Sequence, residues 1–289
     1  MHLAKLFITS LIFVCAMSAS GLAAESASVA MITDLQGKVT LADDARKPEL
    51  SILSEIKLNS RVQFNANSRA VLVYLQSGQE FEIKGPATVV FGAQQPEGTQ
   101  GNKPAKRGVA LTKSGKDIRI KPIVVAQAAI VMRSVNPSLK INLLSPNSSM
   151  SLSPHPLFQW QPLQSDIAYQ FELLDDTGAS LFAVETAQPQ LQLPDTIKLK
   201  EDISYTWMVS AKLADGKQFS NAGDFTIASE NLRNEVRQLM PADNAPLSEL
   251  VVFATWLEQM QLRDEARKYW KLAAAERKDD QRLKVLAGE

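Results

Sequence analysis

Residue types able to do chemistry are sparse in this chain. Apart from the histidine at position 2 there is only His155, held between Pro154 and Pro156. An imidazole acting as a general base needs a nucleophile and an orienting acid within reach, and no spacing in the sequence supplies them. His155 therefore reads as part of a proline-bounded approach to a strand. Adjacent acids occur at Asp43-Asp44, Asp175-Asp176 and Asp279-Asp280. Each pair brings oxygen ligands of the kind calcium takes, yet neighbours on an extended strand point to opposite faces, and none of the pairs continues into a loop of alternating oxygen ligands. They read as turn and surface residues. Tyr205 and Trp207 have the chemistry of a sugar-stacking platform, but they alternate with Ser204, Thr206 and Ser210, which turns the rings toward a core. Phosphate loops, dinucleotide fingerprints, nucleophile elbows and zinc-binding helix motifs are absent. The expectation is that the chain is not an enzyme: it offers no catalytic, cofactor-binding or metal-ligating residue, and no cofactor is implied.

The elements that would position any site begin after residue 24. Lys5, the apolar run Leu6 to Met17, and the small residues Ser18 to Gly21 ahead of Ala23-Ala24 have the layout of a secretory leader cut near Ala23 or Ala24. The run is shorter than the roughly 20 apolar residues a bilayer span needs. Cys15 is the only cysteine and Val14 precedes it, a poor match to a lipidation site, so lipid anchoring is not expected and the exported chain has neither disulfide nor thiolate chemistry. Lysine plus arginine and aspartate plus glutamate each total 31. Losing Lys5 with the leader leaves one more acid than base, and so balanced a charge argues against nucleic acid or anionic lipid as partner. The longest later apolar run, Ile123 to Met132, is broken by Gln127 and stops at Arg133. No stable membrane insertion is expected.

Hydrophobic period divides the remainder in three. Residues 25–144 show short strand-like runs: Val29 to Ile32, Lys38 to Leu41, Arg61 to Phe64, Ala70 to Gln76, Gln79 to Lys84 and Thr88 to Phe91. In Ala70 to Gln76 both alternating sets are apolar, so that strand has two buried faces. Residues 92–107 are Gln, Gly, Pro and Lys with almost nothing apolar and read as a flexible insertion. Strand character returns at Gly108 to Leu111, Asp117 to Ile120, Ile123 to Val125 and Ala128 to Arg133. Residues 145–229 open with Pro146, Pro154, Pro156 and Pro162 and alternate clearly through Phe158 and Trp160, then Ile167 to Leu173, Ser180 to Glu185, Ile203 to Leu213 and Gln218 to Ile227. Asp215-Gly216 between the last two reads as a two-residue hairpin turn. About seven short strands in a segment this size predict a small β-sandwich. Residues 230–289 are helical. A helix over Glu230 to Met240 stops at Pro241, a second covers Ser248 to Gln261, and Asp264 caps a last one carrying Ala266, Trp270 and Ala273 inward. Two helices with so short a link pack antiparallel. The fold class expected is mainly β with a C-terminal α-helical hairpin.

Three resemblances follow from these residues. Gly37, Leu58 to Phe64, the hairpin Ala70 to Ile83, Gly85-Pro86-Ala87-Thr88 and the run Ala128 to Arg133 resemble a FecR-type periplasmic domain. Members that regulate iron uptake carry a transmembrane helix, which is not expected here, so a direct transmembrane signalling role is not implied. Phe158-x-Trp160, Tyr169-x-Phe171 and Tyr205-x-Trp207-x-Val209 are similar to a fibronectin type III or immunoglobulin-like domain, in which such aromatics fill the core. Leu250, Phe253, Ala254, Leu257, Ala266, Trp270 and Ala273 resemble one tetratricopeptide unit, with Lys278 where that family usually has proline. A single unit lacks the groove that stacked repeats build.

These resemblances imply an exported, periplasmic, non-catalytic protein that binds or scaffolds another envelope component, either a protein or a cell-wall polymer. Two other readings differ in class. One is an accessory sensor in FecR-like signal transduction, resting on analogy alone. The other is a glycan hydrolase, which would need two acids about 5 to 10 Å apart in a cleft, a spacing the sequence does not suggest.

Overall fold

The computed structural model describes residues 27–110 and 140–289. The leader and the runs expected at Asp117 to Ile120, Ile123 to Val125 and Ala128 to Arg133 lie outside the described residues. Among the described residues no helix is long and apolar enough to cross a membrane. The chain is mainly β with four helices at its C-terminal end.

The first module contains β1 (Ser28–Gln36), β2 (Val39–Leu41), β3 (Glu55–Lys57), β4 (Arg61–Phe64), β5 (Arg69–Tyr74), β6 (Gln79–Lys84), β7 (Ala87–Phe91), β8 (Pro96–Gly101) and β9 (Ala105–Val109). They form an antiparallel sheet ordered β3-β1-β5-β6-β9 and another ordered β2-β4-β7-β8. Alternation puts Phe64, Leu72, Phe81, Ile83, Val89 and Phe91 into one shared core. The second apolar face of β5 is explained by what lies beyond it. Leu72 and Tyr74 point to that shared core, whereas Val73 and the following Leu75 belong to a different core built with the C-terminal helices. At Gly85, between β6 and β7, an added Cβ would overlap the Asn65 carbonyl oxygen, so only glycine lets this link cross the Asn65 to Ser68 turn.

Residues 92–107, expected as a flexible insertion, instead supply β8 and β9. The ladder β7–β8 runs from Phe91↔Pro96 to Ala87↔Gly101, and β9 extends the sheet beyond β6. Apart from Pro96 these strands are exposed. Backbone hydrogen bonding places them, not burial, which is why a hydrophobic pattern gave no warning. Asn102 secures the turn between them by donating from Nδ2 to the carbonyls of Lys84 (3.2 Å) and Gly85 (3.1 Å).

The second module contains β10 (Leu143–Ser145), β11 (Ser149–Ser151), β12 (Leu157–Trp160), β13 (Tyr169–Leu174), β14 (Ser180–Thr186), β15 (Gln190–Gln192), β16 (Ser204–Lys212) and β17 (Gln218–Ile227). A sheet β10-β12-β15 faces a sheet β11-β17-β16-β13-β14. Their common core is aromatic: the Phe158 ring lies 4.8 Å from that of Phe171 and 5.1 Å from that of Trp207. Tyr205 and Trp207 are buried as their alternation required, and the Trp207 indole N–H donates to the Pro146 carbonyl at 2.6 Å. The turn at Asp215-Gly216 differs from expectation. Leu213 N–H donates to the Lys217 carbonyl at 2.8 Å, leaving a loop of Ala214, Asp215 and Gly216 in which only Gly216 has positive φ, +85°. That is the three-residue hairpin with a glycine bulge, and Asp215 accepts from the Lys217 N–H instead of taking a left-handed conformation.

The helices are α1 (Glu230–Leu239), α2 (Leu247–Gln259), α3 (Arg263–Glu276) and α4 (Gln281–Ala287). Ser229 caps α1 by accepting from the Leu232 N–H. The short α4, capped by Asp280, was not anticipated. Phe253, Leu257, Ala266, Trp270 and Ala273 pack together, and the same core takes in Met31 and Val73 of the first module. Asp264, expected as the cap of the last helix, lies inside its first turn; Leu262 occupies the cap position and makes no side-chain cap. The Asp264 carboxylate accepts from the Ser145 hydroxyl at 3.2 Å, and its N–H donates to the Ser149 hydroxyl, because the start of α3 is pressed onto the sandwich. The Met150 N–H donates to the Gln261 carbonyl at 2.8 Å. The helical segment thus contacts both β modules.

Two carboxylates are half-buried where the helices pack. Glu80 lies against Ser248 at the start of α2, and Glu258 accepts from the Trp270 indole N–H at 3.4 Å. Burial pushes both pKa values up from the ordinary 4.5. An acid that holds its proton more tightly when folded adds stability at low pH, and that contribution fades as pH rises from 4.5 through the raised folded value. Glu258→Gln keeps an acceptor for Trp270 and removes the half-buried charge. Its urea midpoint is expected to exceed the parent's at about pH 7 and to converge with it at about pH 4; parallel midpoints across that range would contradict this.

Candidate functional site

Where α3 meets the sandwich, the surface forms a groove of about 500 Å³. Its floor is the outer side of the three-stranded sheet. Because Phe158 and Trp160 point inward, β12 presents Leu157 and Gln159 outward, and the β12–β15 register sets Gln192 opposite Leu157. One wall is the end of β11 and the loop after it, carrying Ser151, Ser153 and His155. Hydroxyls hold this wall: Ser151 Oγ donates to the Ser153 carbonyl at 3.0 Å, and Ser153 Oγ to the His155 carbonyl at 2.8 Å. Gln192 Nε2 donates to that same His155 carbonyl at 2.6 Å, tying the loop to the floor.

The opposite wall is a charged face of α3. Asp264, Arg267, Lys268 and Lys271 stand at i, i+3, i+4 and i+7, so they share one side of the helix, and Glu265 adjoins them. Arg267 pairs with Asp264 at 3.2 Å and Lys268 with Glu265 at 2.7 Å. Lys271 has no ion pair or hydrogen bond among the described residues. Three cations against two carboxylates leave the wall with a net positive charge, concentrated at Lys271. Burial raises the Asp264 pKa, opposed by the Arg267 charge and the Ser145 and Ser149 hydroxyls.

The residues singled out in the sequence do not converge here, His155 excepted. His155 backs the loop wall with Nδ1 3.5 Å from Asp195 Oδ1, and its Nε2 is buried without a hydrogen-bond partner. No nucleophile–base pair forms around it. Asp43 accepts from the Arg61 N–H, Asp44 from that of Arg46, Asp175 from those of Thr177 and Ala179, and Asp280 caps α4. These are turn and cap roles on separate elements. Among the described residues no group of three or more His, Cys, Asp or Glu side chains is placed to hold a metal ion. A second recess of about 520 Å³ in the first module is lined by Gln76, Gln79, Gln94 and Gln95, with Tyr74 and Phe81 behind them. Those two rings are buried in the core and give no stacking surface. The sequence marked the inward side of α3 through Ala266, Trp270 and Ala273; the floor and loop that turn its other side into a groove were not legible.

No protein-family model matches the chain, and no curated protein matches it. Among solved structures, the crystal structure of CopC from Methylosinus trichosporium OB3b matches with 18% identity and a TM-score of 0.25, covering 31% of this chain and 95% of that one. So low a score carries no argument about fold or function.

Proposed function

We propose that the chain is an exported, non-catalytic binding and scaffolding protein of a bacterial cell envelope that engages a wall component through the groove beside α3. The observation carrying this reading is the groove's construction. A floor carrying amides, a loop wall carrying hydroxyls and a charged wall from α3 are held together by the Ser145–Asp264 and Met150–Gln261 hydrogen bonds. Such a surface supports a binding role. The leader layout of residues 1–24 supports export, and the resemblances to FecR-type and fibronectin type III domains support a place in the periplasm.

The test is fractionation of cells expressing the full chain, followed by sedimentation with purified cell-wall sacculi. The expected result is a periplasmic protein processed near Ala23 or Ala24 that pellets with sacculi. An unprocessed cytoplasmic protein, or one that stays in the supernatant, would overturn the reading.

A further inference from the structure

We infer that the groove beside α3 is a receptor site for an acidic saccharide, with Lys271 and Arg267 taking a sugar-borne carboxylate and the floor taking ring hydroxyls and amides. This rests on the binding reading above and names its ligand class. The lining decides between chemistries. Gln159 and Gln192 on the floor offer amide N–H and carbonyl atoms, and the Ser151 and Ser153 hydroxyls on the wall, which donate within the loop, keep acceptor capacity; together these match hydroxyl and acetamido groups. A groove of about 500 Å³ falls within the size range of small-ligand sites. Leu157, Met150, Pro146 and Pro156 also line the groove, so its surface is mixed in character and suits a ligand with both apolar and polar faces.

Charge counts decide the rest. Arg267 and Lys268 are already opposed by Asp264 and Glu265, so the wall has one uncompensated cation, Lys271. Arg267 spends one donor on Asp264 and keeps others on its planar fork. One spare charge beside a half-engaged guanidinium suits a ligand carrying a single carboxylate. A run of acids, as in an acidic peptide, would bring additional charges against Asp264 and Glu265 and be repelled. A neutral saccharide would leave Lys271 unanswered and would find no exposed aromatic ring to stack on.

The test is titration calorimetry of the purified protein with three probes. These are the N-acetylglucosaminyl-N-acetylmuramic acid disaccharide, which bears one carboxylate, N,N′-diacetylchitobiose, which has two N-acetylated rings and no carboxylate, and triaspartate. The muramyl disaccharide is expected to bind at least about tenfold more tightly than chitobiose, to lose about tenfold with Lys271→Glu, and to keep its affinity with Lys271→Arg. Lys271 is exposed, so neither variant should disturb the fold, and an unchanged circular dichroism spectrum checks this. Equal binding of the two disaccharides, tighter binding of triaspartate, no binding of the muramyl probe, or indifference to Lys271→Glu would each overturn the inference. If the protein still pellets with sacculi while the muramyl probe fails, the binding reading stands and only the ligand assignment falls.

Discussion

Replacing Trp270 by alanine is expected to cost about 3 to 5 kcal/mol and to release the helical segment from the β modules. The ring is fully buried, and it shares a core with Phe253, Leu257 and Ala273 of the helices and with Met31, Val73 and Leu75 of the first module. Around it, Phe253 meets Tyr269 edge-on at 4.7 Å. A cavity at this point cannot be filled by one residue moving, because this core is shared by the helices and by β1 and β5. The lost indole N–H also strips Glu258 of its donor, leaving a partly buried carboxylate worse solvated than before. Urea unfolding followed by far-ultraviolet circular dichroism checks this. The variant should show a lowered midpoint and a reduced helical signal before the β signal is lost. A helical signal and midpoint equal to the parent's would mean that Trp270 does not organise this core.

Asp34→Ala is the second large effect, and it acts through charge. The Asp34 carboxylate sits between two guanidinium groups, 2.6 Å from Arg69 and 2.7 Å from Arg277. Its side chain is only 12% exposed and that of Arg277 only 14%. Arg277 ends α3 and also donates to the Leu35 carbonyl, while Arg69 is held on its other side by Glu82 at 2.7 Å. Removing Asp34 leaves two partly buried cations facing each other without their shared anion. Breaking such a pair from one side costs about 3 to 5 kcal/mol, whereas replacing both partners by apolar residues of similar size is far cheaper. Asp34→Ala should therefore lower stability by that order, and Asp34→Leu combined with Arg277→Met should recover much of it. Additive losses in the double variant, measured by urea denaturation, would contradict the clamp.

The same residues show how much of the fold could be read in advance. Ile167, Tyr169, Phe171 and Leu173 alternate cleanly because one face of β13 is core and the other is solvent, so period alone located the strand. Ala70 to Leu75 announced two buried faces, and the sequence could not say that the second face belongs to helices about 180 residues away. Residues 96–107 were misread because edge strands held by backbone ladders, β8 on β7 and β9 on β6, need no apolar residues to form. Asp264 was misread for a related reason. An acid near a helix start is a fair cap on local grounds, but here Ser145 and Ser149 claim its side chain and its N–H. The groove is less legible still. Its parts come from residues 145–159, Gln192 and residues 264–271, and no spacing along the chain relates a loop serine to a helix lysine. His155 sits behind it through the loop's fold, which its flanking prolines did not reveal.

The central claim is that the body formed by the helices and the sandwich binds its ligand along α3. Hydrogen–deuterium exchange of the protein with and without soluble sacculus fragments tests it most directly. Bound fragments are expected to slow exchange in residues 149–159 and in the first turns of α3, Arg263 to Lys271, while leaving β5 to β7 unchanged. Protection confined to the first module, or exchange along α3 that is indifferent to the fragments, would contradict the claim.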